Sequence, residues 1–88
     1  LAQRVTEAGF IVNAGSFSSL PFLKTYFELM KHHLKPEQQN RAFYLKVNEQ
    51  YVLALGYAKT KNTELETLCA QLKSKNLHCT LQAQQITQ

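Results

Sequence analysis

The chain alternates between short stretches with apolar residues at every second position and longer stretches with apolar residues three or four positions apart. The first spacing is typical of half-buried strands, and the second is typical of helices that bury one face. The stretches follow one another as strand, helix, strand, strand, helix, strand within 88 residues. This order predicts one small α+β domain made of two strand–helix–strand halves.

Four strands follow from the alternating stretches. The first covers 10–15 (FIVNAG) and the third covers 51–56 (YVLALG), and both run from an aromatic residue to a glycine. The second strand covers 42–47 and the fourth covers 77–83. Because the first and third strands are alike and each precedes a helix, the chain has the form of an internal duplication.

The turn between the second and third strands decides which of their side chains share a face. A three-residue turn at 48–50 places three apolar residues of each strand on the core face, so we prefer it to a two-residue turn. The resulting cross-strand pairs are Val47 with Tyr51, Leu45 with Leu53 and Phe43 with Leu55.

Two helices connect the strands. The first begins at Ser19, which is a favourable N-cap residue, and ends before Pro36, since the residue before a proline is disfavoured in a helix. The polar stretch 36–40 is predicted to be a loop. The second helix has Thr63 at its N-cap, and Glu66 three residues later completes a capping box.

The predicted order βαββαβ is that of the ferredoxin-like, or split βαβ, fold, with a four-stranded antiparallel sheet and both helices on one face. The opposite face is predicted to be bare, so we expect function there. Strand alternation assigns to this face Ile11, Asn13, Gly15, Tyr44, Lys46, Val52, Ala54, Gly56, His78, Thr80 and Gln82. These residues predict a shallow trough with a small and amide-bearing centre and a polar, partly aromatic rim.

The charge pattern does not identify a partner. The net charge is +4, all acidic residues are glutamates, and the ten lysines and arginines are scattered. Such a surface permits an anionic partner but is typical of ordinary solvated faces. The chain has no apolar run of the roughly 20 residues that span a bilayer. It begins without a methionine or a signal sequence, so we expect it to be part of a longer protein.

Three ligand-binding alternatives share parts of this pattern. The corner FIVNAGSF has one glycine and no lysine, which excludes a phosphate loop. An RNA-binding sheet needs aromatic residues on its central strands, where this chain offers Val52 and Ala54, so nucleic acid is not an expected partner. A small-ligand-sensing domain that uses a glycine after its first strand stays open, with Gly15 in that position.

Neither catalysis nor a cofactor is expected. The chain has no aspartate, and no glutamate is predicted in the trough, so a carboxylate pair for glycoside hydrolysis is lacking. His32 and His33 are adjacent on a helix and point in different directions, which is unsuitable for a metal pair. Cys69 and Cys79 are both predicted on core faces, where they either form a disulfide or pack as two buried thiols.

The run VNAGSF followed by a helix, and QYVLALGY followed by a second helix, resemble the bacterial SPOR (sporulation-related repeat) domain. The resemblance extends from about Gly9 to Gln84. The family typically has glutamine at the position of Asn13, and this chain lacks the Pro-Phe that often follows the second glycine and any arginine within that strand. Residues 1–8 are expected to be a flexible lead-in or linker end, and 85–88 a frayed tail.

The resemblance implies non-enzymatic binding of peptidoglycan, specifically of glycan strands without stem peptides, which accumulate at the division septum. It implies that Asn13 and Ser16 contact the ligand, and that Gln50 or Tyr51 and His78 lie where aromatic residues often line the groove. It also implies a periplasmic location within a membrane-anchored division protein or a cell-wall hydrolase, with other division or envelope proteins as further partners. A protein–protein module that uses the open sheet or an edge strand is the alternative.

Overall fold

A computed structural model of the protein describes residues 1, 3 and 8–84, without the side chain of Gln84. The strands are β1 (Gly9–Phe17), β2 (Phe43–Val47), β3 (Gln50–Ala58) and β4 (Thr80–Gln84), and the helices are α1 (Leu20–Met30), α2 (Pro36–Arg41) and α3 (Thr63–Lys73). The predicted tail 85–88 and most of the predicted lead-in 1–8 lie outside the described residues. Gln3, within that lead-in, forms an isolated parallel bridge with Tyr44.

The strands form one antiparallel sheet in the order β2-β3-β1-β4. The helices α1 and α3 pack on one of its faces, which confirms the predicted α+β, ferredoxin-like architecture. The first and third strands lie at its centre, and β2 and β4 form its edges. None of the described helices is long and apolar enough to cross a bilayer.

The main core lies between the helices and the sheet. Side chains at helical spacing from α1 and α3 meet buried side chains of the two central strands. The members at its centre are Val12, Leu23, Leu53, Leu55 and Leu72, none more than 1% exposed. Gly56 faces the helices and not the opposite face to which strand alternation assigned it. It lets α3 approach β3, since a Cβ atom at that position would lie 2.8 Å from Cδ2 of Leu65. Each such leucine stabilises the fold by about 1.5–3 kcal/mol through its burial.

The helix ends differ in part from the prediction. Ser19 is the N-cap of α1 as predicted, and its Oγ accepts a hydrogen bond from the N–H of Phe22 at 3.4 Å. The α-helix ends at Met30 and continues only as a 3-10 helix, Lys31–His33, so it is shorter than predicted. Its length was overestimated because the apolar spacing persists to Leu34, which is buried in an extended conformation.

The other two helices also correct the prediction. The stretch predicted as a loop is the short helix α2, whose start is stabilised by a 2.8 Å hydrogen bond from the N–H of Lys35 to Oε1 of Gln38. The N-cap of α3 is Asn62 and not Thr63, because Oδ1 of Asn62 accepts from the N–H of Leu65 at 2.9 Å. Both corrections come from side chains that bond the free backbone donors of a helix start.

The predicted register of the β2–β3 hairpin is wrong by one residue. Val47 pairs with Gln50, so the turn contains only Asn48 and Glu49. Asn48 has a φ of 57°, the positive value that two-residue hairpin turns require at their first position and that asparagine tolerates. The other pairs are Phe43 with Ala54, Tyr44 with Leu53, Leu45 with Val52 and Lys46 with Tyr51. This shift exchanges the two faces of β2.

The sheet face opposite the helices is therefore not bare along its whole length. It carries a second buried cluster, with Val47 and Tyr57 packed against its edge. The members of this cluster are Ile11, Phe43, Leu45, Val52 and Ala54, all 5% exposed or less. The cluster occupies part of this face and borders the groove described below at Val47 and Val52.

Cys69 and Cys79 form a disulfide, with their Cα atoms 5.4 Å apart. Cys69 lies on the buried side of α3, and Cys79 directly precedes β4. β4 begins at Thr80, three residues later than predicted. The bond fixes the start of this edge strand to the helix that covers it.

Candidate functional site

A shallow groove crosses the face opposite the helices, next to the β2–β3 turn. It encloses about 890 Å³, within the usual range of small-ligand sites. Its lining residues are Asn13, Ser16, Val47, Asn48, Glu49, Gln50, Val52 and Gln82. Four of these side chains are carboxamides, so we call it the amide groove.

Asn13 supports the groove. Its Nδ2 donates to Oε1 of Gln82 at 3.1 Å, and its Oδ1 accepts from the N–H of Gly15 at 2.8 Å. Asn13 is only 7% exposed, so it is not the open ligand contact that strand alternation predicted. Its amide holds Gln82 in place beneath the ligand space and bonds a backbone donor of β1.

A bulge in β1 turns Ser16 towards the groove. Asn13 pairs with Ala54 and Gly15 pairs with Leu53, so β1 has one residue more than β3 at this point. Such an extra residue reverses the alternation of side chains that follow it. Ser16 then pairs with Val52 on the groove side and is exposed.

Gly15 makes this bulge possible and does not line the groove. Its φ is +152°, a conformation that residues with a side chain rarely adopt. A Cβ atom at this position would also lie 3.1 Å from Cε2 of Phe17. The backbone conformation of β1 therefore accounts for a glycine at position 15 without any contact to a ligand.

The groove offers neutral polar groups above an apolar floor. The side chains of Ser16, Asn48 and Gln50 are exposed, whereas Val52 is buried, with 5% of its surface exposed, and forms the floor. Hydroxyl and amide groups both donate and accept hydrogen bonds, which suits a ligand with hydroxyl and acetamido groups. Among the described residues, the lining includes no lysine or arginine.

Five of the predicted site residues come together in the amide groove: Asn13, Ser16, Gln50, Val52 and Gln82. The others do not line it. Ala54 is fully buried in the second cluster, and Thr80 is exposed on β4 outside the lining. His78 precedes β4 and lies beside Phe17 and Tyr26 at another depression.

Three predicted site residues lie on the helix side of the sheet. Tyr44 and Lys46 lie there because of the hairpin register. Tyr51 lies on the core face to which strand alternation assigned it, and not where the family resemblance implied a ligand contact. Tyr44 and Tyr51 pack against the core on the helix side, with ring centroids 6.2 Å apart in an edge arrangement. Nζ of Lys46 lies 5.7 Å from the centroid of the Tyr51 ring. The aromatic rim that was predicted for the trough is therefore absent from the described groove.

Sequence reasoning missed Val47, Asn48 and Glu49, the residues at the hairpin end of the groove. The available signal was Asn48, since asparagine tolerates the positive φ that a two-residue turn requires. Glu49 also corrects the prediction that no glutamate lies in the site. It is the only carboxylate among the described lining residues.

No family model, curated protein or solved structure matches the chain.

The part of the chain that the structure describes contains no cluster of three or more histidine, cysteine or acidic side chains suited to a metal ion. Away from the groove, on α1, the pKa of Glu28 is lowered by its hydrogen bond to Lys31 and by the charge of that lysine. The case for function therefore depends on the amide groove itself.

Proposed function

We propose that this domain binds glycan strands of bacterial peptidoglycan that lack stem peptides, without cleaving them. In this proposal it directs a larger periplasmic protein to the division septum. The observation that supports it most is the grouping of Asn13, Ser16, Gln50 and Gln82 around the apolar floor at Val52. The family resemblance supports the same ligand, because Asn13 and Ser16 belong to VNAGSF and Gln50 belongs to QYVLALGY.

The chemistry of the ligand suits this groove. Each sugar presents hydroxyl and N-acetyl groups to the exposed hydroxyl and amides, and polar groups that a ligand covers need such partners. Removal of stem peptides also leaves lactyl carboxylates on the strand, and the domain's net charge of +4 favours association with a polyanion. The open shape of the groove allows an extended chain to lie across it.

Two further observations support a non-catalytic, periplasmic domain. Glycoside hydrolysis uses a pair of carboxyl groups, whereas Glu49 stands alone in the described lining of the groove. The Cys69–Cys79 disulfide suits an oxidising compartment such as the bacterial periplasm.

Cosedimentation with purified sacculi tests the proposal. We expect the domain to sediment more strongly with sacculi from which an amidase has removed part of the stem peptides, and to release no new reducing ends. Equal sedimentation with treated and untreated sacculi would contradict the proposed ligand. Release of reducing ends would contradict the non-catalytic role.

Matched variants connect the binding to the groove. Ser16→Ala and Gln50→Ala each remove one exposed polar group, which we expect to weaken binding by about twofold to tenfold. Thr80→Ala is the control, because Thr80 is exposed on the same sheet face but does not line the groove. Equal effects of all three variants would place the ligand elsewhere.

Association of two copies of the domain within an envelope or cytosolic assembly is a second candidate function. Phe22 and Leu29 are 66% and 70% exposed and lie two turns apart on α1, so they form an apolar stripe on its outer side. A domain that ignores sacculi but forms a concentration-dependent dimer, which Phe22→Asp abolishes, would favour this candidate.

A further inference from the structure

A second depression lies along the part of β1 that follows Asn13, where β4 no longer pairs with β1. β4 starts at Thr80, opposite Asn13, so the following residues of β1 pair only with β3 in the described structure. The depression encloses about 430 Å³. It is lined by Ala14, Gly15, Ser16, Phe17, Tyr26 and His78, and we call it the edge notch.

The edge notch is aromatic where the amide groove is polar. The rings of Phe17 and Tyr26 have centroids 5.3 Å apart and are tilted by 42°. Both pack against the helix-side core, which fixes their positions. His78 is exposed at the same depression and adds an imidazole ring. Fixed aromatic rings next to open space provide apolar surface for the C–H faces of a sugar ring.

Ser16 connects the two depressions, because it lines both the amide groove and the edge notch. The β1 bulge that exposes Ser16 therefore also places the amide groove and the edge notch on either side of Ser16. A ligand that extends past Ser16 from the amide groove enters the edge notch, whereas a shorter ligand stays within the groove.

We propose that the edge notch is a second subsite for the same glycan chain, in which Phe17, Tyr26 and His78 hold a sugar ring beyond those in the amide groove. This inference rests on the proposed function and adds to it a dependence on chain length. Long strands occupy both subsites, and short oligosaccharides occupy the amide groove alone.

Affinities for oligosaccharides of defined length distinguish binding at the edge notch from binding in the amide groove. The oligosaccharides are prepared by muramidase digestion of amidase-treated sacculi, and their affinities are measured by titration calorimetry for lengths from two to eight sugars. Wild-type affinity is expected to rise with length. His78→Ala and Tyr26→Leu are expected to lower the affinity for the longest chains by about threefold to tenfold, and to change that for the shortest by less than about twofold.

His32→Ala is the matched control, because His32 is exposed on the 3-10 helix and lines neither depression. Circular dichroism checks that the Tyr26→Leu variant is folded, and His78→Ala keeps the test decisive if it is not. As a second readout, long chains are expected to shift the NMR signals of His78 and Tyr26, while short ones shift only those of the groove.

The outcomes distinguish the inference from the function on which it rests. Equal loss of affinity at every length, or no loss at any length, would overturn the second subsite while leaving glycan binding in place. Failure of the wild-type domain to bind oligosaccharides of any length would overturn both.

Discussion

Asn13 is the only buried polar side chain among the described residues, and both ends of its amide are bonded. Asn13→Ala leaves the N–H of Gly15 and the amide of Gln82 without these partners. We expect the free energy of unfolding to fall by about 1–3 kcal/mol, the cost of leaving such groups unsatisfied. Urea denaturation followed by circular dichroism measures this change.

Ser16→Ala is the matched control for Asn13→Ala. Ser16 is exposed in the same groove, so its substitution should change the free energy of unfolding by less than about 0.5 kcal/mol. Equal stability of the two variants would mean that the Asn13 amide does not support the bulge. A loss of binding by Ser16→Ala at unchanged stability would separate the ligand contact from the structural one.

At the scale of the element, the disulfide secures β4, an edge strand of five residues, to α3. The cysteines are separated by 10 positions, so the bond closes a short loop and stabilises the fold by about 2–3 kcal/mol on the chain-entropy model. Reduction is therefore expected to lower the Tm. Thermal denaturation with and without a phosphine reductant measures the effect.

The cysteine prediction has two direct checks. Mass spectrometry after alkylation in denaturant without reductant should find neither cysteine alkylated in oxidised protein, and two alkylated thiols would contradict the disulfide. The Cys69→Ala/Cys79→Ala variant is the control, because the reductant should leave its Tm unchanged. A similar drop in that variant would assign the effect to the reductant itself.

At the scale of the whole molecule, the sheet has buried clusters on both faces, and Phe43 tests the one opposite the helices. Phe43 is 2% exposed, so Phe43→Ala should reduce the free energy of unfolding by about 3–5 kcal/mol. On the register expected from the hairpin pattern, Phe43 would instead belong to the helix-side core. Chemical denaturation gives the magnitude, and NMR contacts between Phe43 and Ile11 identify the face.

Leu53→Ala is the companion variant on the helix side, where Leu53 is fully buried in the main core. We expect it to reduce the free energy of unfolding by about 2–5 kcal/mol. A large cost for Leu53→Ala with a negligible one for Phe43→Ala would show that the second cluster contributes little, and that more of this face is open to ligand.

The sequence by itself determined the order of the elements, the α+β class and the ferredoxin-like topology. These features depend on local periodicity and on short-range signals, such as the apolar spacing of α1 and its N-cap at Ser19. It also assigned Asn13 and Ser16 to a candidate site, Asn13 by strand alternation and Ser16 by the family resemblance. Five of its site residues do lie together in the amide groove.

Only the tertiary structure decided which side chains face that groove. The core of β3 is apolar on both faces, so alternation allowed two registers, and the two-residue turn at Asn48 selected one of them. In the bulge that exposes Ser16, Oδ1 of Asn13 accepts from the N–H of Gly15, and Nδ2 of the same amide donates to Gln82, 69 positions away. Local patterns specify which elements form. Which side chains line the site depends on how the strands pair, that is, on the turn at Asn48 and on the bulge in β1 opposite β3.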